Sequence, residues 1–146
     1  MDDSQIEEAI QAAGKTAPRV TPADIEAEIN SETYFTAQHG VEGAMSALEL
    51  HSRHPGGTPV NLCHITFCVL TLKNGTKLVG VNEGPVSPEN FDPEIGRKLA
   101  RQKAIDQVWP MLGFRLRDEL ARPVLTEADS LADLNGTPRP SAGVTQ

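Results

Sequence analysis

The sequence predicts an α+β fold, in which an antiparallel β-hairpin is followed by a helical hairpin, with N-terminal helices and a disordered C-terminal tail. Three observations predict this class. Residues 62–72 are apolar with high β-propensity, Asn74 and Gly75 form a typical hairpin turn, and Asp92 and Pro93 form a typical helix start. The 146 residues, 38% hydrophobic but only 4% aromatic, suit one small domain with a modest core.

Three regions are expected along the chain. Residues 1–20 form a flexible acidic N-terminal arm with a short amphipathic helix, and residues 21–122 form a single α+β core domain. Residues 123–146 form a short helix, capped by Thr126, and a tail. We predict disorder for 135–146 because this stretch is rich in Pro, Gly, Ser and Thr and has no apolar periodicity.

The core domain is expected to begin with a second helix. Thr21 and Asp24 are spaced as a capping box, Ile25 lies on the apolar side of the helix, and the aromatic pair at 34–35 lies just past its end. Residues 36–60 mix Gly, His and Pro with a weak apolar patch. That segment is predicted to hold either one strand or a long loop.

The hairpin follows this segment. Residues 62–72 carry apolar side chains on both faces, so we expect the strand to be covered on both sides. A two-residue type I′ turn at 74–75 leads to a return strand at 76–81. Such a turn places Leu70 opposite Val79.

The helix that begins at Asp92 is expected to run to about Trp109, where Pro110 stops or kinks it, and 111–120 forms a second helical piece. Apolar residues spread around most of the circumference of the first piece. We therefore expect that helix to be buried on more than one side, with a partner subunit of a homo-oligomer covering part of it.

Charge and hydropathy exclude several classes. The net charge of −7 argues against general nucleic-acid binding, although residues 61–122 carry nine Lys or Arg against seven Asp or Glu. No apolar run approaches the roughly 18–20 residues of a membrane span, and the N-terminus lacks the basic and apolar start of a secretory signal. We expect a soluble, cytoplasmic protein without a membrane segment.

The cysteines and histidines predict no metal site. Cys63 and Cys68 lie five residues apart in the predicted strand and face opposite ways, so we expect two reduced, buried thiols. Together with His51, His54 and His64 they match no common zinc spacing. No cofactor is expected either.

Catalytic motifs are missing from the sequence. It contains no G-x-S-x-G motif, phosphate-binding loop, dinucleotide fingerprint or H-E-x-x-H motif. Cys68 and His64, four residues apart on a strand, would lie roughly 13 Å from each other, which is too far for proton transfer. We expect the protein not to be an enzyme.

The candidate binding site lies at the start of the helix after the hairpin. Arg97 and Arg101 are one helical turn apart. Three interpretations are open: their aliphatic stems lie over the surface, their guanidinium groups pair with acidic neighbours, or these groups bind a phosphate or carboxylate in a pocket. Phe91 is suited either to stack on a planar ring or to act as a hydrophobic staple. Asn90 is suited to hydrogen-bond a ligand or to occupy a turn.

Several stretches carry a resemblance to a known family. Residues 70–75, 89–101 and 108–114, together with Tyr34 and Phe35, resemble a family of small accessory proteins of tailed phages and prophages. The hairpin-then-helices layout is also similar to the phage anti-defence sponges that oppose Thoeris and CBASS immunity. Those sponges are non-enzymatic homo-oligomers that sequester cyclic ADP-ribose-type or cyclic oligonucleotide signals.

The resemblance implies a phage anti-defence protein that binds a small phosphate-bearing nucleotide signal in the host cytoplasm without cleaving it. We assign Arg97 and Arg101 to the phosphates, Phe91 to the base, and Asn90 to the same ligand. One alternative is an accessory protein that binds a host or phage protein through its acidic N-terminal arm. A second is nucleic-acid binding through the basic central helix, which the overall acidity disfavours.

Overall fold

The computed structural model describes residues 2–47 and 61–143. Its helices and strands confirm the α+β class. In chain order they are α1 (Asp3–Ala12), α2 (Pro22–Glu28), β1 (Ile29–Thr36), α3 (Ala37–Ser46), β2 (Thr66–Leu72), β3 (Lys77–Asn82), α4 (Pro93–Ala121) and α5 (Glu127–Asn135). Short 3-10 turns lie at Leu62–His64, Pro88–Asn90 and Pro140–Gly143.

The chain divides into two compact units, one ending at Leu112 and the other beginning at Gly113. The first contains a three-stranded antiparallel sheet in the order β1-β2-β3. None of the helices in the described ranges combines the length and the apolar content needed to cross a membrane.

Strand β1 replaces the end of the predicted second helix. The capping box of Thr21 and Asp24 is present and Ile25 is buried, as predicted, but the helix ends at Glu28. The next eight residues form β1 and pair with β2. Threonine and aromatic residues favour this extended state, and strand pairing supplies the backbone hydrogen bonds that the helix would have provided.

Helix α3 occupies part of the segment for which a strand or a loop was predicted. Thr36 caps it: the Thr36 side chain accepts from the His39 N–H at 3.2 Å, and His39 Nδ1 accepts from the Thr36 N–H at 3.1 Å. This capping box has histidine where Glu or Gln is usual, so the sequence rule does not detect it. The remainder of the predicted strand or loop, 48–60, lies outside the described residues.

The hairpin is present, but its register differs from the prediction by one residue. Leu70 pairs with Leu78 and not with Val79. The Leu72 N–H donates to Thr76 O and the Gly75 N–H donates to Leu72 O, and of the turn residues Gly75 alone has positive φ. This is a type I turn with a bulge at Gly75, and it adds one residue to the predicted two-residue loop.

The two faces of β2 are buried to different extents. The strand predicted to be covered on both faces has one fully buried face, formed by Thr66, Cys68, Leu70 and Leu72. On the opposite face Phe67 is half-buried and stacks on Phe35 with ring centroids 5.0 Å apart.

Helix α4 begins where the sequence predicts. Asp92 Oδ1 accepts from the N–H groups of Glu94 and Ile95 at 2.8 and 3.0 Å, and Pro93 is the first helical residue. The face turned to the sheet begins with a row of small residues, Gly96, Ala100 and Ala104. This row lets the helix backbone approach the strands closely, since an added Cβ on Gly80 of β3 would overlap the carbonyl oxygen of Ala100. The buried residues of α4 lie on this side, whereas the sequence predicts burial on more than one side.

Pro110 does not stop the helix, because α4 continues through this residue for a total of 29 residues. The alternative, a kink at Pro110, stays a prediction. Proline removes the hydrogen bond to the carbonyl of Asp106. Both residues are exposed, so water can hydrate that carbonyl. The helical segment after the sheet instead breaks at residues 122–126, before α5.

Helix α1 is tied to the rest of its unit. The indole Nε1 of Trp109 donates to Asp3 at 3.2 Å. Glu7 also forms an ion pair with Arg19, and Arg19 Nη2 donates a hydrogen bond to Glu7 Oε1 at 2.6 Å. The hydrogen bonds from Arg19 and then Gln11 lower the pKa of Glu7 to about 2.

The second unit is organised around a buried carboxylate. Thr126 caps α5 as predicted. Asp129 Oδ2 accepts hydrogen bonds from the Thr126 backbone N–H at 2.7 Å and from the Thr126 hydroxyl at 2.8 Å. Asp129 Oδ1 accepts from the Ser141 N–H at 3.1 Å, and Arg139 pairs with Asp133 at 2.7 Å. Part of the segment predicted to be disordered, 136–143, is therefore held against α5.

Candidate functional site

A cavity of about 310 Å³ lies in the first unit where β1 ends and where β2 and α4 begin. Two of the four predicted site residues, Phe91 and Arg97, line it. Asn90 and Arg101 do not. The other walls come mainly from the end of β1 and the first residue of β2: Tyr34, Phe35, Thr36 and Thr66.

Arg97 is available to a ligand. Its side chain is exposed at the cavity, and within residues 2–47 and 61–143 it makes no hydrogen bond or ion pair. The other described residues that line the cavity include no Asp or Glu. A guanidinium group in such a setting suits a phosphate or a carboxylate, because it offers paired N–H donors and a permanent positive charge.

Arg101 is bound to carboxylates. Its Nε donates to Glu32 Oε2 at 2.6 Å, and one terminal nitrogen donates to Glu26 Oε2 at 2.8 Å. The hydrogen bond to Glu26, followed by that to Glu32, raises the pKa of Arg101 above its usual value, although burial opposes the shift. Of the three interpretations of the arginine pair, acidic neighbours fit Arg101 and a pocket fits Arg97.

Phe91 is half-buried and lines the cavity. The ring of His64 stacks on it with centroids 4.4 Å apart and an interplanar angle of 27°. His64 in turn lies beside the backbone of Gly84, where an added Cβ would come within 2.8 Å of His64 O. A staple between Phe91 and Ile95 is disfavoured, because the Ile95 side chain is 56% exposed.

Asn90 lies in the 3-10 turn before α4. Its side chain is exposed, and its backbone N–H donates to Ser87 O at 3.0 Å. This arrangement matches the turn role that the sequence left open for Asn90.

Thr66 is a site residue that sequence reasoning missed. It is 3% exposed and lines the cavity, and its hydroxyl has no hydrogen-bond partner in the described part of the chain. No buried side-chain oxygen or nitrogen of the described residues lacks a partner, so the Thr66 hydroxyl is open to the cavity and can bind water or a ligand there. The detectable signal is the alternation of β2, which places this polar residue on the face of Cys68 and Leu70.

Gly96 and Tyr34 also shape the cavity region. A Cβ at Gly96 would lie 2.9 Å from Thr66 Oγ1 and 3.5 Å from Phe91 Cε2, so a larger residue would crowd both. Burial raises the pKa of Tyr34 to about 12. Its phenol therefore keeps its proton at neutral pH.

The prediction of two buried thiols on one strand is wrong for Cys63. Cys68 is buried, and burial raises the pKa of its thiol, but Cys63 lies in a 3-10 turn and is exposed. Within the described ranges no three His, Cys, Asp or Glu side chains come close enough to hold a metal ion. His51 and His54 lie outside those ranges.

Comparison with known proteins identifies a family. No curated protein and no solved structure matches the chain. Residues 20–120 match the family described as the Phage protein (N4 Gp49/phage Sf6 gene 66) family. This match covers α2 to α4, including the whole sheet and the described cavity walls. Because it spans well over half of the 146 residues, the chain belongs to this family of phage proteins.

Proposed function

We propose that this phage protein binds a small phosphate-bearing nucleotide signal and sequesters it without cleaving it, and so opposes a host defence of the Thoeris or CBASS kind. The observation that carries the proposal is that the guanidinium of Arg97, which has no partner in residues 2–47 and 61–143, lies beside Phe91 in one cavity. A nucleotide needs a cation for its phosphate and an apolar surface for its base, and this cavity offers both.

The surroundings of Arg97 support binding of an anion. None of the described residues that line its cavity carries a carboxylate, whereas Arg101, one turn later, pairs with two carboxylates. An anion entering the cavity therefore meets an unneutralised positive charge. The Thr66 hydroxyl adds a group able to hydrogen-bond a phosphate, a ribose or a base.

Sequestration, as opposed to turnover, is the role we propose. Among the described lining residues, His39 and Cys63 carry the side chains best suited to transfer a proton or to act as a nucleophile at neutral pH. His39 Nδ1 already caps α3, and nothing orients the Cys63 thiol toward a base among the described residues. The ligand should therefore be recovered intact after binding.

We propose that the protein acts as a homo-oligomer. The buried residues of α4 lie on one side, while Ile95 and Leu99 on another side are 56% and 47% exposed. A second copy covering these side chains supplies the burial that the sequence pattern predicts for this helix.

The main alternative is a protein-binding module that uses the acidic N-terminal arm. Two carboxylates of that arm are engaged within the chain: Asp3 accepts from Trp109, and Glu7 pairs with Arg19. Fewer charges of the arm are then available to a partner, so we favour the cavity as the functional site.

The test is thermal unfolding of the full chain with cyclic mononucleotides, cyclic oligonucleotides and cyclic ADP-ribose isomers, followed by chromatography of the recovered ligand. We expect one ligand class to raise the Tm and to be recovered intact. Arg97→Ala should abolish the shift, whereas Lys98→Ala, at an exposed residue paired with Glu94, should preserve it. Cleavage of the ligand, or a Tm shift retained in Arg97→Ala, would contradict the proposal.

A cell assay tests the biological part. Phage production in cells that carry a Thoeris or CBASS system should rise when the wild-type protein is expressed and should not rise with Arg97→Ala. Equal phage production with the wild-type protein and with Arg97→Ala would show that anti-defence activity does not depend on the cavity. Co-purification of a host protein, without any ligand shift, would favour the binding-module alternative.

A further inference from the structure

We infer that the start of helix α3 is a pH-sensitive switch, in which the neutral imidazole of His39 keeps the helix cap closed and protonation of His39 opens it. Thr36 and His39, the two residues of this cap, both line the cavity, so a change in the cap changes the cavity wall. The switch goes beyond the proposed function, because it requires no particular ligand.

Hydrogen bonding in the cap requires a neutral His39. The Thr36 N–H donates to His39 Nδ1 at 3.1 Å, and the His39 N–H donates to the Thr36 hydroxyl oxygen at 3.2 Å. A ring nitrogen accepts a hydrogen bond only when it carries no proton, so the neutral ring has its proton on Nε2. Protonation puts a hydrogen on Nδ1 as well, and two donors, Nδ1–H and the Thr36 N–H, then face each other. The hydrogen bond from Thr36 to His39 is lost in that state.

The position of His39 adds a second cost to its charged form. His39 is the third residue of α3, in the first turn. The N-terminal end of a helix carries a partial positive charge, so an imidazolium ion there destabilises the helix. Glu or Gln, the usual residues at this position, keep an acceptor oxygen between pH 5 and 8, whereas histidine gains a proton near pH 6.5. The cap is therefore complete above this range and is lost as the pH falls through it.

The charged and titratable groups around His39 decide how the switch is tested. Helix α3 packs against β1 and against the 3-10 turn Leu62–His64. In the described part of the chain, these elements, α3 itself and the cavity wall carry Glu32, Tyr34, Glu42, Cys63, His64 and Arg97. The two carboxylates are hydrogen-bonded, at 2.6 and 2.9 Å, and the tyrosine and the arginine keep their protons between pH 5 and 8. His64, by contrast, is of the residue type that titrates in this range, so its contribution is measured separately.

Hydrogen exchange of the full chain, followed by NMR at about pH 7.5 and about pH 5.5, tests the switch. After correction for the direct effect of pH on amide exchange, the protection of the α3 amides should fall roughly threefold or more at the lower pH, because loss of a helix cap has an effect of that order. The amides of β2, in the core of the same unit, should keep their protection. His39→Gln keeps an acceptor at both pH values and should hold the protection of α3 within about twofold. His64→Gln should show the same fall as the wild type.

NMR of the ring nitrogens gives an independent measurement. The signals of His39, one of four histidines in the chain, are identified by their loss in His39→Gln. At about pH 7.5 they should show an unprotonated Nδ1 and a protonated Nε2.

Three results would overturn the switch. They are a protonated Nδ1 at the higher pH, α3 protection that does not fall in the wild type or falls equally in His39→Gln, and a fall that disappears in His64→Gln. None of them bears on nucleotide binding, which Arg97→Ala tests separately.

Discussion

Arg101 Nε and Glu32 Oε2 lie 2.6 Å apart, in a hydrogen bond that ties α4 to β1. Glu26, the last-but-two residue of α2, binds the same guanidinium at 2.8 Å, so one arginine joins three elements. Arg97, one turn earlier, has no such partner among the described residues and faces the cavity instead. Arg97 and Arg101 are only one helical turn apart, but they thus have different roles.

Arg101→Ala is expected to destabilise the fold. The Arg101 side chain is 27% exposed, so water weakens its ion pairs only in part, and loss of hydrogen bonds to charged groups should lower the free energy of unfolding by about 1–3 kcal/mol. Urea denaturation followed by circular dichroism measures this loss. The matched control is Arg97→Ala, which should change stability by less than about 0.5 kcal/mol because Arg97 is exposed and unpaired. Equal effects of both substitutions would refute the difference in roles.

This difference could not be read from the sequence. The i,i+4 spacing predicts only that Arg97 and Arg101 point the same way. Their roles depend on Glu32, which reaches α4 because residues 29–36 form a strand and not the end of a helix. The helical pattern predicted for this segment does not bring Glu32 to Arg101, so it does not predict the carboxylate partner.

The hairpin shows what local sequence does determine. Asn74 and Gly75 locate the turn correctly, but a type I′ turn and a type I turn with a bulge both use Gly75. Only packing decides between them. The observed register puts Leu78, 6% exposed, opposite the buried Leu70, and leaves Val79 46% exposed.

Gly80→Ala should disrupt the contact between β3 and α4. An added Cβ would overlap the carbonyl oxygen of Ala100 and lie 2.6 Å from the Ala104 nitrogen, and neither backbone atom is free to move. We expect the free energy of unfolding to fall by about 1–3 kcal/mol. The control is Gly43→Ala in α3, where nothing lies within 4 Å of the new Cβ; there the substitution should raise stability by about 0.5–1 kcal/mol. Chemical denaturation of both variants checks the contrast, and a stable Gly80→Ala protein would contradict the close packing.

The exposed side of α4 gives a prediction for the oligomer. Replacement of Ile95 and Leu99 by Asp should leave the fold intact, because both side chains are about half-exposed or more, but it should place charge in a subunit interface. Light scattering coupled to size-exclusion chromatography should then show the 15.7 kDa monomer in place of a larger wild-type species. Val86→Asp, at a fully exposed loop position, is the control and should keep the wild-type mass. A monomeric wild-type protein would refute the proposed oligomer.

Acid should detach helix α1 from the rest of its unit, and the fluorescence of Trp109 should report the change. The pKa of Glu7 is lowered from 4.5 to about 2, chiefly by the hydrogen bond from Arg19, so the pairing stabilises the folded state fully above about pH 4.5 and is lost as pH falls toward 2. The only tryptophan of the chain binds Asp3 of this helix, so release of α1 should shift its emission to the red over that pH range. Glu7→Gln should shift the emission already at neutral pH and flatten the acid transition. Glu8→Gln, one residue away on an exposed position, should follow the wild-type curve. An acid transition that is identical in Glu7→Gln and wild type would show that another group holds α1 in place.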